Sequence, residues 1–93
     1  MYAIEFSNRG KKSLLKYNHS GSFPQKKFRA TLSCLREGKS LPSSYKDHSL
    51  KGSLQNYREL HLAGDILVQY EVDLVLKIIT ISKIGTHAEL FGE

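Results

Sequence analysis

The stretch YRELHLAGDILVQYEV, residues 57–72, carries the clearest structural pattern in the chain. Its first six side chains alternate between the two faces of a strand. One face carries Tyr57, Glu59 and His61, and the other carries Arg58, Leu60 and Leu62. The tripeptide AGD at 63–65 is typical of a tight turn in which Gly64 takes a positive φ, and residues 66–72 are apolar enough for a return strand. The stretch therefore predicts an antiparallel β-hairpin.

Toward the C-terminus the pattern predicts one more strand. A second turn is expected near Val72 and Asp73, followed by LVLKIITIS at 74–82. This run is apolar at nearly every position, which is typical of a strand inside a sheet. In KIGTHAELFGE at 83–93, Gly85 is expected to end the strand and Thr86 to cap a short helical turn.

Toward the N-terminus the pattern predicts a strand and a helix. Apolar side chains at 2, 4 and 6 indicate a short strand. Ser7 is a suitable N-cap for a helix over residues 8–18. Leu14, Leu15 and Tyr17 are expected to face inward, although Gly10 weakens the helical pattern.

A second helix is predicted after the turn cluster NHSGS at 18–22, with Ser22 as its cap and Pro24 in its first turn. Its core-facing stripe is formed by Phe28, Leu32 and Leu35, and Gly38 is expected to end it. Residues 45–53, YKDHSLKGS, fit neither a helical nor a strand period, so His48 is predicted to lie in an irregular segment.

The element order predicts an α+β fold in which two N-terminal helices pack on one face of a small, mainly antiparallel β-sheet, with a short C-terminal helical turn. Ninety-three residues are enough for a single domain, 1–93. The chain has no long apolar run and no recognisable signal peptide, and it contains one cysteine, Cys34. We therefore expect a soluble cytoplasmic protein without a membrane partner.

Positive charge is concentrated in the first half of the chain. Residues 1–40 carry nine Lys and Arg but two acidic residues, whereas residues 41–93 carry five basic and seven acidic residues. A basic surface attracts polyanions, among which nucleic acid is the commonest large one in a cytoplasm. A solvated helix face is an equally good explanation of this charge taken alone.

Three histidines and an aspartate are the candidate site residues. Chain direction brings His61, Asp65 and His87 to one end of the sheet, and the segment carrying His48 is free to join them. Two chemistries use such a cluster: zinc binding, for which the spacings match no known compact ligand pair, and acid–base catalysis by imidazoles. RNA cleavage is an acid–base reaction of this kind. Each histidine taken singly also fits a structural role.

Three quoted blocks carry a family resemblance: YKDHSLKG at 45–52, YRELHLAGDILVQY at 57–70 and IGTHAELF at 84–91. In this order they resemble the YafQ-like branch of the RelE/ParE superfamily of bacterial type II toxins. The resemblance implies an mRNA interferase: an endoribonuclease that cuts mRNA on the ribosome and is inhibited by a cognate antitoxin protein in a toxin–antitoxin hetero-oligomer.

The resemblance also implies which residues form the site. His48, His61, Asp65 and His87 would be catalytic, and Phe91 would contact the substrate. Neither a cofactor nor a metal is expected.

Two departures from the family pattern affect substrate binding. Ile66 stands where some relatives have Trp, and its aliphatic side chain cannot stack on a base as an aromatic ring does. Lys83 stands where relatives tend to have Arg, and we expect it to bind phosphate as a point charge. These departures leave open a degenerate homologue that only binds its antitoxin, and the superfamily's ParE-like members leave open a toxin that binds gyrase without catalysis.

Overall fold

A computed structural model describes residues 1–50 and 56–91 of the chain. The end of the predicted irregular segment, 51–53, and the last two residues of the predicted domain lie outside the described residues. Within the described ranges there are five strands and three α-helices. In chain order they are β1 (Ala3–Phe6), α1 (Asn8–Asn18), α2 (Gln25–Arg36), β2 (His48–Ser49), β3 (Tyr57–Ala63), β4 (Ile66–Asp73), β5 (Ile78–Gly85) and α3 (His87–Phe91).

The strands form one sheet in the order β1-β5-β4-β3-β2. β1 is parallel to β5, and every other neighbouring pair is antiparallel. β5 lies inside the sheet between β1 and β4, as its continuous apolar run predicts. The predicted α+β fold with a mainly antiparallel sheet is confirmed.

The hydrophobic core lies between one face of the sheet and the helices. The sheet contributes buried side chains from three strands: Leu60, Leu62, Val68, Tyr70, Ile79, Ile81 and Ile84. Helix α2 contributes Phe28 and Leu35, and the segment before it contributes Phe23. Because strand residues alternate between faces, Tyr57, Glu59 and His61 belong to the opposite face, which we call the site face.

Helix α1 begins where the sequence predicts. The side chain of Ser7 accepts a hydrogen bond from the backbone N–H of Gly10 at 3.0 Å. A Cβ at position 10 would lie 2.2 Å from the carbonyl oxygen of Ile81, so glycine allows the helix to approach β5 closely. The inward orientation predicted for Leu15 is wrong, since this side chain is 59% exposed. Leu14 and Tyr17 do pack against the core, so these two side chains form the inward face of α1 and Leu15 does not.

Helix α2 begins later than predicted. Its N-cap position is Pro24, with no side-chain hydrogen bond, so the predicted cap at Ser22 is wrong. Phe28 and Leu35 are buried and Leu32 packs against the core, as the predicted stripe requires.

The two hairpin turns differ in how well the sequence places them. Gly64 has φ +55° in the turn between β3 and β4, as predicted. The second turn spans residues 74–77 and not 72–73. Asp73 remains paired with Ile78, and its carboxylate accepts hydrogen bonds from the backbone N–H groups of Val75 and Leu76 at 3.0 and 2.9 Å. Aspartate thus caps the turn from the last strand position.

His48 lies in a strand and not in an irregular segment. Although β2 has two residues, it pairs with β3 so that His48 lies opposite Glu59. A strand of this length has no readable period, which explains why the sequence does not predict it.

Candidate active site

One end of the site face carries a group that we call the histidine cluster: His61, Asp65, His87 and Phe91. Nδ1 of His87 lies 3.3 Å from Oδ1 of Asp65. The ring centres of His61 and His87 are 6.0 Å apart, and the Phe91 ring centre is 5.8 Å from that of His87. The three polar residues therefore meet at one end of the sheet, as chain direction predicts.

Sheet register explains why these residues meet. His61 lies opposite Leu67 on β4, which lies opposite Gly85 at the end of β5. Since β3 and β5 are both antiparallel to β4, their C-terminal ends lie at the same end of the sheet. The turn bearing Asp65 leaves from the same end. Helix α3 begins two residues after Gly85 and delivers His87 beside His61.

A single carboxylate, that of Glu89, holds helix α3 in place. The backbone N–H of Glu89 donates to Oγ1 of Thr86 at 3.2 Å, and Oε1 of Glu89 accepts from the backbone N–H of Thr86 at 2.9 Å. This is a capping box. The same carboxylate accepts hydrogen bonds from Lys16 Nζ and from the Tyr17 hydroxyl on α1.

These contacts change the titration of both partners. The hydrogen bond from Lys16, followed by that from Tyr17, lowers the pKa of Glu89 to about 2. Burial, followed by the hydrogen bond to Glu89, raises the pKa of Tyr17 to about 12. The ion pair joins α3 to α1, so it fixes the helix that carries two members of the histidine cluster.

A second polar group follows one register row across the site face. The row runs from His48 through Glu59 and Gln69 to Lys83. Glu59 is 4% exposed. Its Oε1 accepts from Gln69 Nε2 at 3.1 Å, and its Oε2 lies 3.6 Å from Nε2 of His48. Nδ1 of His48 lies 2.6 Å from the carbonyl oxygen of Lys46, so both ring nitrogens are positioned.

The segment before His48 is fastened to the other face of the sheet. Oδ1 of Asp47 accepts from the Tyr70 hydroxyl at 2.6 Å and from Arg58 Nε at 3.2 Å. Burial of Tyr70, followed by its bond to Asp47, raises the pKa of this phenol. Arg58 therefore points away from His61, as strand alternation predicts, and its contact is structural.

The two predicted substrate-binding residues lie in different surroundings. Phe91 is 48% exposed, so its ring is available for stacking. Lys83 lines a groove of about 290 Å³ on the site face. Ile66, which replaces an aromatic residue of some relatives, packs against the hydrophobic core.

Three residues that position the site were not predicted from the sequence: Asp47, Glu59 and Glu89. The period-two pattern places Glu59 on the same face as His61, and this pattern could have identified it as a candidate site residue. The Thr86-x-x-Glu89 spacing is a capping-box signature. The partner of Asp47, by contrast, is 23 residues away at Tyr70, and only the folded sheet reveals this contact.

The described residues contain no cluster of three or more His, Cys, Asp or Glu side chains that could hold a metal ion. In the same part of the chain, every helix is too short or too polar to cross a membrane.

Comparison with known proteins identifies the family. Residues 2–92 match the family model described as the bacterial toxin of a type II toxin–antitoxin system, YafQ. The chain belongs to the YafQ toxin family. This confirms the resemblance carried by the three sequence blocks.

Individual relatives agree with this assignment. The mRNA interferase toxin YafQ of Escherichia coli K12 is 44% identical over 52 residues, which are 56% of this chain and 54% of that protein. The match thus spans about half the length of this YafQ relative. A metal-bound toxin from Helicobacter pylori is 34% identical with a TM-score of 0.87, covering 98% of this chain and 100% of that one. YafQ in the E. coli DinJ–YafQ complex is 30% identical with a TM-score of 0.84, covering 99% and 100%.

Proposed function

We propose that this YafQ family member is the toxin of a type II toxin–antitoxin pair and an endoribonuclease that cuts mRNA on the ribosome. The meeting of His61, Asp65 and His87 at one end of the sheet carries the proposal. A related toxin from E. coli is named an mRNA interferase. A toxin that acts by protein contact alone has no need of such a cluster, so this geometry favours catalysis over a gyrase-binding function.

The proposed reaction is an intramolecular transesterification, in which the ribose 2′-oxygen displaces the 5′-oxygen from phosphorus. A general base takes the proton of the 2′-hydroxyl, and the 2′-oxygen forms a bond to phosphorus. The bond from phosphorus to the 5′-oxygen breaks, and a general acid gives a proton to that oxygen. The products are a 2′,3′-cyclic phosphate and a 5′-hydroxyl.

His87 is the first candidate for one of the two proton transfers. When Asp65 accepts a hydrogen bond from Nδ1 of His87, the imidazole is oriented and Nε2 is left to face the substrate. His61 is close enough for one phosphodiester to contact both rings, so it can supply the complementary transfer. His48 lies outside the histidine cluster, with its ring nitrogens facing the Lys46 carbonyl and Glu59, so its proposed role is to stabilise charge on the phosphate.

The substrate would be bound by one aromatic ring and one cation. The exposed ring of Phe91 is available to stack on a base. Lys83 would balance the negative charge that develops on the phosphate.

A cognate antitoxin is the proposed protein partner. YafQ of E. coli forms a complex with DinJ. The exposed basic side chains of α1 and α2 suit an acidic antitoxin segment that folds on binding. We further propose that residues 1–93 act as one domain in the cytoplasm, within a toxin–antitoxin hetero-oligomer.

The test is to add the purified protein to translating ribosomes on a defined mRNA and to map new 5′ ends. We expect cuts at discrete positions that persist in metal-stripped preparations. His87→Ala should abolish them while His19→Ala does not, because His19 lies in the turn after α1, outside the histidine cluster. Absence of cuts from folded wild-type protein would refute the endoribonuclease proposal, and growth arrest by such a protein would direct the next assay to gyrase.

A further inference from the structure

Next to the register row of Glu59, the site face carries a groove of about 290 Å³. Its lining comes from α1 and the residue before it, from the residue after β2, and from β3, β4 and β5; it includes Arg9, Leu50, Tyr57, Gln69, Ser82 and Lys83. The proposed reaction uses Lys83 alone among them, so the groove needs an explanation of its own.

Two cations enter this groove from different elements. Arg9 comes from the first turn of α1, and Lys83 comes from β5. The ion pairs found within residues 1–50 and 56–91 involve neither of them. Two unneutralised cations that line the same concave surface attract an anion to it.

The rest of the groove offers the groups that recognise a nucleobase. Tyr57 is half-buried and presents an aromatic side chain. Gln69 is 6% exposed, and its Nε2 donates to Glu59. This contact uses one N–H of the amide and none of its acceptor capacity, so the amide oxygen remains as an acceptor for a donor on a base edge. Single-stranded RNA is recognised by this combination of stacking and base-edge hydrogen bonds.

The groove also lies at a suitable distance from the histidine cluster. Tyr57 and His61 share one face of β3 and are four residues apart, which corresponds to roughly 13 Å along the strand. On β5, Gly85 lies in register with His61 through Leu67 of β4. Lys83 is two residues before Gly85, which corresponds to roughly 7 Å along the strand. A short extended strand of RNA can therefore contact both places at once.

We propose that this groove is a nucleotide subsite for the residue of mRNA adjoining the cleaved phosphodiester. In this subsite Tyr57 stacks on the base, and Gln69 accepts a hydrogen bond from its edge. Arg9 holds its phosphate, and Lys83 contacts the phosphodiester that is cleaved. The inference rests on the proposed ribonuclease function and extends it from the reacting atoms to substrate selection.

The test measures binding without cleavage. The probe is a fluorescently labelled single-stranded RNA hexamer whose riboses are 2′-O-methylated, so that no nucleophile is present. Its affinity is measured by fluorescence anisotropy over a range of salt concentrations. Arg9→Gln should weaken binding and reduce the slope of log K against log salt by about 0.7, the value for one lost phosphate contact on a single strand.

A matched variant controls for general loss of charge. Arg29 is exposed on α2, in the helical layer on the other side of the sheet. Arg29→Gln removes the same charge and should leave the affinity and the salt slope unchanged.

A second pair of variants tests stacking. Tyr57→Ala should weaken binding by about fivefold to a hundredfold, whereas Tyr57→Phe should bind as wild type does. The proposal is overturned if the wild type does not bind the hexamer, or if Arg9→Gln behaves as Arg29→Gln does. Hexamer binding that requires Arg9 and Tyr57, in a protein that makes no cuts on ribosomes, would sustain the subsite and refute the nuclease proposal instead.

Discussion

Tyr70→Phe is the variant that most sharply tests how the segment carrying His48 is held. Tyr70 is 1% exposed, and its hydroxyl donates to Asp47 at 2.6 Å. A hydrogen bond to a charged group contributes about 1.5–3 kcal/mol to stability. Phenylalanine fills the same volume, and Arg58 still donates to the carboxylate. We therefore expect the free energy of unfolding to fall by about 2 kcal/mol.

Urea denaturation measures this change as a shift of the midpoint at constant slope. Tyr2→Phe is the matched control, because the Tyr2 hydroxyl makes no hydrogen bond with the described part of the chain and the ring packs at the edge of the core. Its stability should stay within about 0.5 kcal/mol of wild type. Cleavage by Tyr70→Phe should also fall below that of Tyr2→Phe, since the loosened segment carries His48. Equal midpoints for the two variants would refute this reasoning.

Three further predictions concern other parts of the site and its scaffold. Because the folded-state pKa of Glu89 is lowered to about 2, its contribution to stability is complete above its ordinary pKa of 4.5 and is lost as the pH falls toward 2. Wild type should accordingly lose more stability than Glu89→Gln in acid titrations followed by circular dichroism, and parallel losses would argue against the ion pair. Gly10→Ala should cost about 1–3 kcal/mol in thermal unfolding, because the new Cβ would meet the Ile81 carbonyl oxygen at 2.2 Å; an unchanged Tm would contradict the close approach. Glu59→Gln should lower the cleavage rate about tenfold, less than the ~10²–10⁴ of a lost acid or base, because it removes the carboxylate beside His48; a rate equal to that of wild type would show that Glu59 does not act through His48.

The hairpin was readable from the sequence because its period is short and its turn contains glycine. Leu60 and Leu62 are buried where alternation places them, and the turn at Gly64 has the predicted positive φ. The helix starts are less regular. Ser7 has the expected capping contact, whereas Ser22 does not, because α2 begins only after Pro24. A capping residue is a local preference that the tertiary packing of the helix can override.

The site was only partly readable for a similar reason. Chain direction was enough to bring His61, Asp65 and His87 to one end of the sheet. It could not place His48 opposite Glu59, since that contact depends on a two-residue strand. Glu59 itself resembles an ordinary strand residue in the sequence, and its importance emerges from burial beside His48.

The chemistry of the cut ends distinguishes acid–base catalysis by the histidine cluster from other ways of cutting RNA. After cleavage of a defined mRNA on ribosomes, we predict 5′-hydroxyl and 2′,3′-cyclic phosphate ends. A 2′-deoxy substitution at the cut nucleotide should abolish the cut, because it removes the nucleophile that the histidine cluster is proposed to activate. Ends bearing a 5′-phosphate, together with efficient cleavage of the 2′-deoxy substrate, would contradict acid–base catalysis by His61 and His87.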